Sequence, residues 1–87
     1  MSLTILLAED EEQLSRVYTA ALKHQGYQVD QVYNGQDAIE KAHENAYDVF
    51  ILDIMMPIKT GLEALREIRA SGDHTHAIML TAMSEIE

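Results

Sequence analysis

Two kinds of apolar pattern alternate along the chain, and this alternation limits the folds open to it. Short apolar runs typical of strands are separated by segments in which apolar residues recur at helical spacing. Because strands that alternate with helices pair in parallel through right-handed crossovers, the order predicts an α/β fold with helices on both faces of one sheet. The strand-like runs are 3–8, 27–33, 48–53 and 77–80.

The segments between these runs carry signals that start and stop helices. Gly26 follows the first segment as a C-terminal stop, and Asn34, in the Asn34-Gly35 turn, is typical of a residue that caps a helix. The third segment runs to about Gly72, and residues 83–87 resemble the start of a fourth helix. The apolar residues of the first segment are Leu14, Val17, Tyr18, Ala21 and Leu22.

Composition narrows the class of protein without identifying it. The 87 residues suffice for one domain, 1–87, and 47% hydrophobic with 24% charged residues is typical of a globular chain. The net charge of −9 opposes nucleic-acid binding by this segment, because phosphates attract basic surfaces. No apolar stretch approaches the roughly 20 residues of a membrane span, and the absence of cysteine fits a cytoplasmic protein.

Asp53 is the residue that most needs a chemical explanation. It ends an apolar run at the place where parallel sheets bind their ligands, and an isolated carboxylate there is costly. Glu9 and Asp10 end the first run and Thr81 ends the fourth, so we expect these side chains to meet Asp53 in one cleft. Carboxylates this close raise one another's pKa values unless a cation neutralises them.

This set of oxygen ligands suits Mg²⁺ and phosphoryl transfer. Mg²⁺ takes one or two carboxylates plus waters, so Asp10 and Asp53 would bind it directly and Glu9 through water. A carboxylate on Mg²⁺ beside the Thr81 hydroxyl could attack a phosphoryl group to give an aspartyl-phosphate. Simpler interpretations stay open: Glu9–Glu12 as a solvated helix start, Thr81 as a hydroxyl bonded to backbone, Met55 and Met56 as packing residues, and His74–His76 as an exposed loop.

The motifs, taken in order, resemble those of the receiver domain of bacterial two-component response regulators. The run Asp53-Ile54-Met55-Met56-Pro57 followed by Gly61 is the most specific, and the whole set covers nearly the entire chain. The resemblance implies a flavodoxin-like sheet with strand order 2-1-3-4, lacking the family's fifth strand and fifth helix. The remaining motifs are Ile5-Leu6-Leu7-Ala8-Glu9-Asp10-Glu11, Gly26-Tyr27, Asn34-Gly35 with Ala38, Tyr47-Asp48, and Ile78-Met79-Leu80-Thr81-Ala82.

The resemblance implies phosphorelay signalling rather than turnover of an external substrate. Asp53 would accept a phosphoryl group from the phosphohistidine of a histidine kinase, and Thr81 would sense its arrival. The sequence Glu9-Asp10-Glu11 is common in receivers joined to winged-helix DNA-binding domains, so the full-length protein would regulate transcription. By the same resemblance, Mg²⁺ would be held by Glu9, Asp10, Asp53 and the backbone carbonyl of Met55, and the phosphoryl group by the backbone of Met56 and Ala82.

The chain departs from the family pattern at its carboxyl end. It stops inside the expected fourth helix, so the phosphate-binding lysine of the family's fifth strand has no counterpart, and Lys59 does not obviously replace it. Without a fifth strand, the apolar fourth strand would be a sheet edge with unpaired backbone groups. We therefore expect self-association through this edge or marginal stability.

Two other functions compete with phosphorelay signalling. A phosphatase of the haloacid-dehalogenase type also uses a strand-end aspartate and Mg²⁺, but the second acid that such enzymes carry would fall at Met55. A phosphorylation-independent interaction module is the other alternative, favoured by the missing lysine. Both predict that Asp53 forms no stable phosphate adduct.

Overall fold

The computed structural model describes residues 2–80, which form four strands and three helices in strict alternation. The predicted α/β order is therefore confirmed. Thr81, Ala82 and the helix expected at 83–87 lie outside the described residues. In chain order the elements are β1 (Thr4–Ala8), α1 (Glu12–His24), β2 (Gln28–Val32), α2 (Gly35–Glu44), β3 (Val49–Asp53), α3 (Gly61–Ala70) and β4 (His76–Leu80).

The sheet has the strand order β2-β1-β3-β4, and every neighbouring pair is parallel. The predicted flavodoxin-like order 2-1-3-4 is confirmed. Ala8 lies opposite both Val32 and Leu52, and Asp53 lies opposite Leu80. Because all strands run the same way, their carboxyl ends share one edge, and the candidate site residues lie there.

The main apolar core lies between one face of the sheet and helices α2 and α3. Successive side chains of a strand point to opposite faces, and Leu6, Phe50 and Leu52 point to this one. All three are fully buried. Their partners on the two helices are Ala38, Ile39, Ala42, Ala64 and Ile68.

Helix α1 packs on β1 and β2 and buries polar rather than apolar side chains. Ser15 is fully buried and accepts a hydrogen bond from Gln31 Nε2 at 2.8 Å, and Thr19 is buried as well. By contrast, Leu14 and Val17 of the predicted apolar stripe are 41% and 61% exposed. Three other residues of the stripe, Tyr18, Ala21 and Leu22, border a groove. This α1–β4 groove is lined by Tyr18, Ala21, Leu22, Ile51, Ile78 and Leu80.

Local hydrogen bonds fix the helix ends. Asn34 Oδ1 accepts the Asp37 N–H at 2.8 Å, which confirms the predicted cap of α2. Thr60 and Glu63 form a capping box at α3, with N–H to side-chain distances of 2.9 and 3.1 Å. Gly26 follows α1 with a φ of 93°, as the predicted helix stop requires.

Within residues 2–80, the helices are too short or too polar to span a membrane.

Candidate functional site

Three carboxylates meet at the carboxyl edge of the sheet. Glu9 and Asp10 follow β1 directly and Asp53 is the last residue of β3, and one oxygen of each lies within 4.8 Å of the others. Glu9 and Asp53 are buried, whereas Asp10 is exposed. We call the surrounding cavity of about 290 Å³ the acidic cleft. Its lining residues are Glu9, Asp10, Glu11, Leu14, Tyr18, Asp53, Met55 and Leu80.

The acidic cleft carries concentrated negative charge. Burial is the main cause that raises the pKa of Glu9 to about 6, and the nearby charges of Asp53 and Asp10 raise it further. One hydrogen bond opposes this rise, since the Glu11 N–H donates to Glu9 Oε2 at 3.0 Å. No lysine or arginine of residues 2–80 lines the cleft. The carboxylates are therefore held together without a neutralising side chain from the described part of the chain.

The donors of the acidic cleft fit a hard divalent cation. All of them are oxygens, and Mg²⁺ in proteins is held by one or two carboxylates with waters completing its shell. The Met55 N–H donates to Asp53 Oδ1 at 3.2 Å, so the Met55 backbone lies beside the central carboxylate. A cation at this point would also offset the repulsion that acts on Glu9. The residues present are thus suited to Mg²⁺.

Gly61 allows the chain to pass close beneath Asp53. A Cβ on Gly61 would lie 2.1 Å from the Asp53 carbonyl oxygen, and the Gly61 N–H donates to the Ile54 carbonyl at 3.0 Å. The Ile54 N–H donates in turn to the Leu80 carbonyl at 2.9 Å, which extends the pairing of β3 with β4 beyond Asp53. The glycine of the sequence motif is therefore required by the backbone that supports Asp53.

The structure brings together only part of the predicted set. Glu9, Asp10 and Asp53 meet as expected, with the Met55 backbone beside them, while Met56 is buried in the core cluster. The predicted roles of Thr81 and Ala82 fall on residues outside the described range.

The other side chains noted in the sequence lie apart from the cleft lining. Lys59 Nζ forms an ion pair with Glu67 of α3 at 2.7 Å. His74 and His76 are exposed, as the simpler interpretation expected, but the loop assignment was wrong for His76, which is the first residue of β4. The intervening Thr75 donates through its backbone and its hydroxyl to Asp73, at 2.9 and 2.6 Å, and these bonds lower the pKa of Asp73.

The sequence did not predict two features, one in the loop after Asp53 and one at the segment that packs against it. Ile58 has a φ of 68°, which a β-branched residue rarely adopts. Gly35, predicted as part of a turn, is the first residue of α2 and packs against the backbone of Lys59. The Asn34-Gly35 pair signalled a helix start, but no local pattern could reveal a contact between segments so far apart in sequence.

Comparison with known proteins gives consistent matches along nearly the whole chain. The family model for the response regulator receiver domain matches residues 5–87. The "uncharacterized transcriptional regulatory protein YkoG" of Bacillus subtilis is 40% identical over 82 residues, covering 94% of this chain and 36% of that protein. Response regulator ArlR of Staphylococcus aureus is 44% identical over 81 residues, covering 93% and 36%. The chain thus spans about a third of the length of these relatives.

Solved structures of other proteins also resemble the fold of this chain closely. Response regulator protein TrrA from Thermotoga maritima, in complex with Mg²⁺-BeF, has a TM-score of 0.89 and 38% identity, covering 97% of this chain and 72% of that one. The receiver domain of sensor histidine kinase PA1611 from Pseudomonas aeruginosa has a magnesium ion coordinated in its active site cleft. Its TM-score is 0.89 at 37% identity, covering 94% of this chain and 69% of that one.

Proposed function

Because the chain belongs to the response regulator receiver domain family, we propose that Asp53 is its phosphoacceptor, taking a phosphoryl group from a histidine kinase. The observation that carries this proposal is the position of Asp53. It is buried at the carboxyl end of β3, with oxygens of Glu9 and Asp10 within 4.8 Å. Members of this family are signalling domains rather than enzymes that act on external substrates. The proposal takes residues 1–87 as one domain.

In the proposed reaction, an Asp53 carboxylate oxygen attacks the phosphorus of a phosphohistidine. The P–N bond breaks, and its electron pair returns to the imidazole nitrogen, which then takes up a proton. The Met55 N–H bond to Oδ1 orients the carboxylate before the attack. The later hydrolysis of the acyl phosphate would be the only other reaction at this site.

Mg²⁺ is the cofactor of this proposal. Asp10, Asp53 and the backbone carbonyl of Met55 would hold it, and Glu9 would support it through water. When bound, it supplies positive charge that stabilises the transferring phosphoryl group. The presence of magnesium in the structures of TrrA and PA1611 supports this assignment, as does the all-oxygen donor set of the acidic cleft.

Three further groups complete the proposed site. The Thr81 hydroxyl would sense the phosphoryl group, and the backbone amides of Met56 and Ala82 would bind its oxygens. Support for Thr81 comes from the sheet register, since Thr81 follows Leu80 in the chain and Leu80 lies opposite Asp53.

Intact-mass measurement after incubation with Mg²⁺ and acetyl phosphate tests this function. We expect a stable adduct of one phosphoryl group that disappears in Asp53→Asn. Asp48→Asn is the matched control, because Asp48 precedes the same strand at its opposite end and accepts the Thr4 N–H, which an asparagine oxygen can also do. Steady phosphate release without an adduct would favour a phosphatase, and no reaction would favour a phosphorylation-independent interaction module.

We further propose that the full-length protein is a cytoplasmic transcription regulator. The YkoG relative is named as a transcriptional regulatory protein, which supports this output, and this chain covers only 36% of that relative. With a net charge of −9, the present segment is unsuited to DNA, so a separate output region would bind it. Nuclease footprinting with the full-length protein, before and after phosphorylation, tests the proposal.

Self-association is the last element of the proposal. Within residues 2–80, β4 pairs with β3 and with no other strand. Beside the edge of β4 that has no strand partner within residues 2–80 lies the apolar α1–β4 groove, in which Ile78 is 53% exposed. A free apolar edge favours pairing with a second copy of the chain.

A further inference from the structure

The loop that follows Asp53 is attached to the start of helix α2. The Gly35 N–H donates to the Lys59 carbonyl at 3.1 Å. The contact is close, because a Cβ on Gly35 would lie 2.2 Å from that oxygen and 2.7 Å from the Lys59 carbonyl carbon. Glycine is therefore the residue that lets α2 approach this loop, and the contact also satisfies one of the free N–H groups of a helix start.

The same loop is strained between its attachments. The Lys59 N–H donates back to the Pro57 carbonyl at 2.7 Å, across Ile58 with its φ of 68°. A γ-turn with positive φ at its central residue is unfavourable, more so for a β-branched side chain. Ile58 is 74% exposed, so packing of its own side chain does not hold this conformation. Strained backbone persists when neighbouring contacts fix it, and the Gly35–Lys59 contact lies directly beside Ile58.

We propose that Gly35 is a positioning residue for the cation site, because its contact with Lys59 fixes the loop that carries the Met55 backbone. The inference rests on the proposed function, in which the Met55 carbonyl is a cation ligand. At the near end of the loop, the Met55 N–H donates to Asp53 Oδ1 and the Gly61 N–H donates to the Ile54 carbonyl. At the far end, the Gly35–Lys59 contact and the Lys59–Glu67 ion pair hold it. Changing the groups that orient metal ligands typically weakens metal affinity roughly 10- to 100-fold.

Mg²⁺ titration of Gly35→Ala by calorimetry tests the proposal, with Gly26→Ala as matched control. Gly26 has a φ of 93° and open space around its missing Cβ, so alanine there strains the backbone without touching the loop. We expect Gly35→Ala to raise the Kd for Mg²⁺ about tenfold and Gly26→Ala to leave it unchanged. An unchanged Kd in Gly35→Ala, or an equal rise in both variants, would overturn the role of Gly35 and leave the proposed function of Asp53 standing. Failure of the unmodified chain to bind Mg²⁺ would overturn the proposed function as well.

If Gly35→Ala does not fold, amide hydrogen exchange on the unmodified chain tests whether the Gly35–Lys59 contact is coupled to Mg²⁺ binding. Because the Gly35 N–H donates to Lys59, saturation with Mg²⁺ should slow its exchange several-fold as the loop is fixed. The Gly26 N–H, which donates to the Lys23 carbonyl at 2.9 Å at the end of α1, serves as the internal control and should not change. Equal exchange of the Gly35 amide with and without Mg²⁺ would contradict the inference.

Discussion

Within residues 2–80, the two faces of the sheet differ in how completely they are covered. On the face of α2 and α3, Phe50 and Ile68 are fully buried within a continuous apolar cluster. On the face of α1, Val17 is 61% exposed, Ile78 is 53% exposed, and the buried Thr19 hydroxyl has no hydrogen-bond partner within residues 2–80. The covered face therefore carries the continuous apolar cluster, whereas the apolar burial on the α1 side is concentrated at Ile5 and Leu7 of β1.

The acidic cleft lies on the open face. Asp53 follows Ile51 by two residues on β3, so both side chains point to the side of α1. Tyr18 and Leu80 line both the cleft and the α1–β4 groove, which makes the two cavities neighbours. The acidic cleft thus adjoins the exposed apolar groove between α1 and β4, while its Glu9 and Asp53 are themselves buried.

The largest expected effect is a difference in the free energy of unfolding between a substitution on the covered face and one on the open face. Ile68→Ala removes a fully buried side chain from α3 and should lower the free energy of unfolding by about 2–5 kcal/mol. Val17→Ala is the matched control, a β-branched residue of α1 changed in the same way, and should alter it by about 0.5 kcal/mol or less. Urea unfolding followed by circular dichroism measures both. A loss in Val17→Ala as large as that in Ile68→Ala would break the comparison.

The next effect concerns the charge buried at the open face. Glu9 has a pKa raised from 4.5 to about 6 by burial and by the neighbouring carboxylates. Between these values the folded chain binds more protons than the unfolded chain, so stability should fall as pH rises through this window. The loss approaches about 2 kcal/mol once the pH lies well above 6, when a chelator keeps cations away.

Glu9→Gln should therefore unfold at higher urea concentration than the unmodified chain at neutral pH in chelator, and should lack the pH slope between 4.5 and 6. Excess Mg²⁺ should narrow this difference, because a bound cation stabilises the chain that retains all three carboxylates more than it stabilises Glu9→Gln. Glu12→Gln, at an exposed position, is the control and should keep the slope. An identical pH profile for Glu9→Gln and the unmodified chain would mean that Glu9 is not destabilised in the fold.

The sequence predicted that the site forms at the carboxyl ends of the strands. It predicted less well which side chains of α1 pack against the sheet. The ends of the apolar runs located Glu9, Asp10 and Asp53, because a strand end is a local property and parallel order brings such ends together. Helical spacing located the stripe through Leu14 and Val17 but could not tell which neighbour it meets. That depends on how α1 is rotated over the sheet, which is a property of tertiary packing.

The loop after Asp53 shows the same limit. Pro57 and Gly61 marked it as a turn, whereas the positive φ of Ile58 runs against the preference of that residue type. The contact of Gly35 with Lys59 joins the start of α2 to the loop after β3, and these segments are separate in sequence. Features set by long-range contacts leave no periodic pattern to detect.

A smaller effect tests the polar interior beneath α1. Thr19→Val replaces an unpaired buried hydroxyl by a methyl group of similar size and should raise the free energy of unfolding by about 1 kcal/mol. Ser15→Ala makes the opposite change, since the Ser15 hydroxyl accepts from Gln31, and should lower it by about 1 kcal/mol. Thermal melts at one pH measure both. A loss of stability in Thr19→Val would show that this hydroxyl is satisfied.

The smallest expected effect is on self-association through β4, which pairs only with β3 within residues 2–80. If β4 and the α1–β4 groove pair with a second copy, the weight-average mass in sedimentation equilibrium should rise with protein concentration. Ile78→Lys places a charge in the groove and should bring the mass towards that of the monomer. Leu62→Lys is the control, because Leu62 is similarly exposed, at 49%, but does not line the groove. Equal masses for all three chains at every concentration would show that the open face does not associate with its own copy and that the edge of β4 is tolerated as it is.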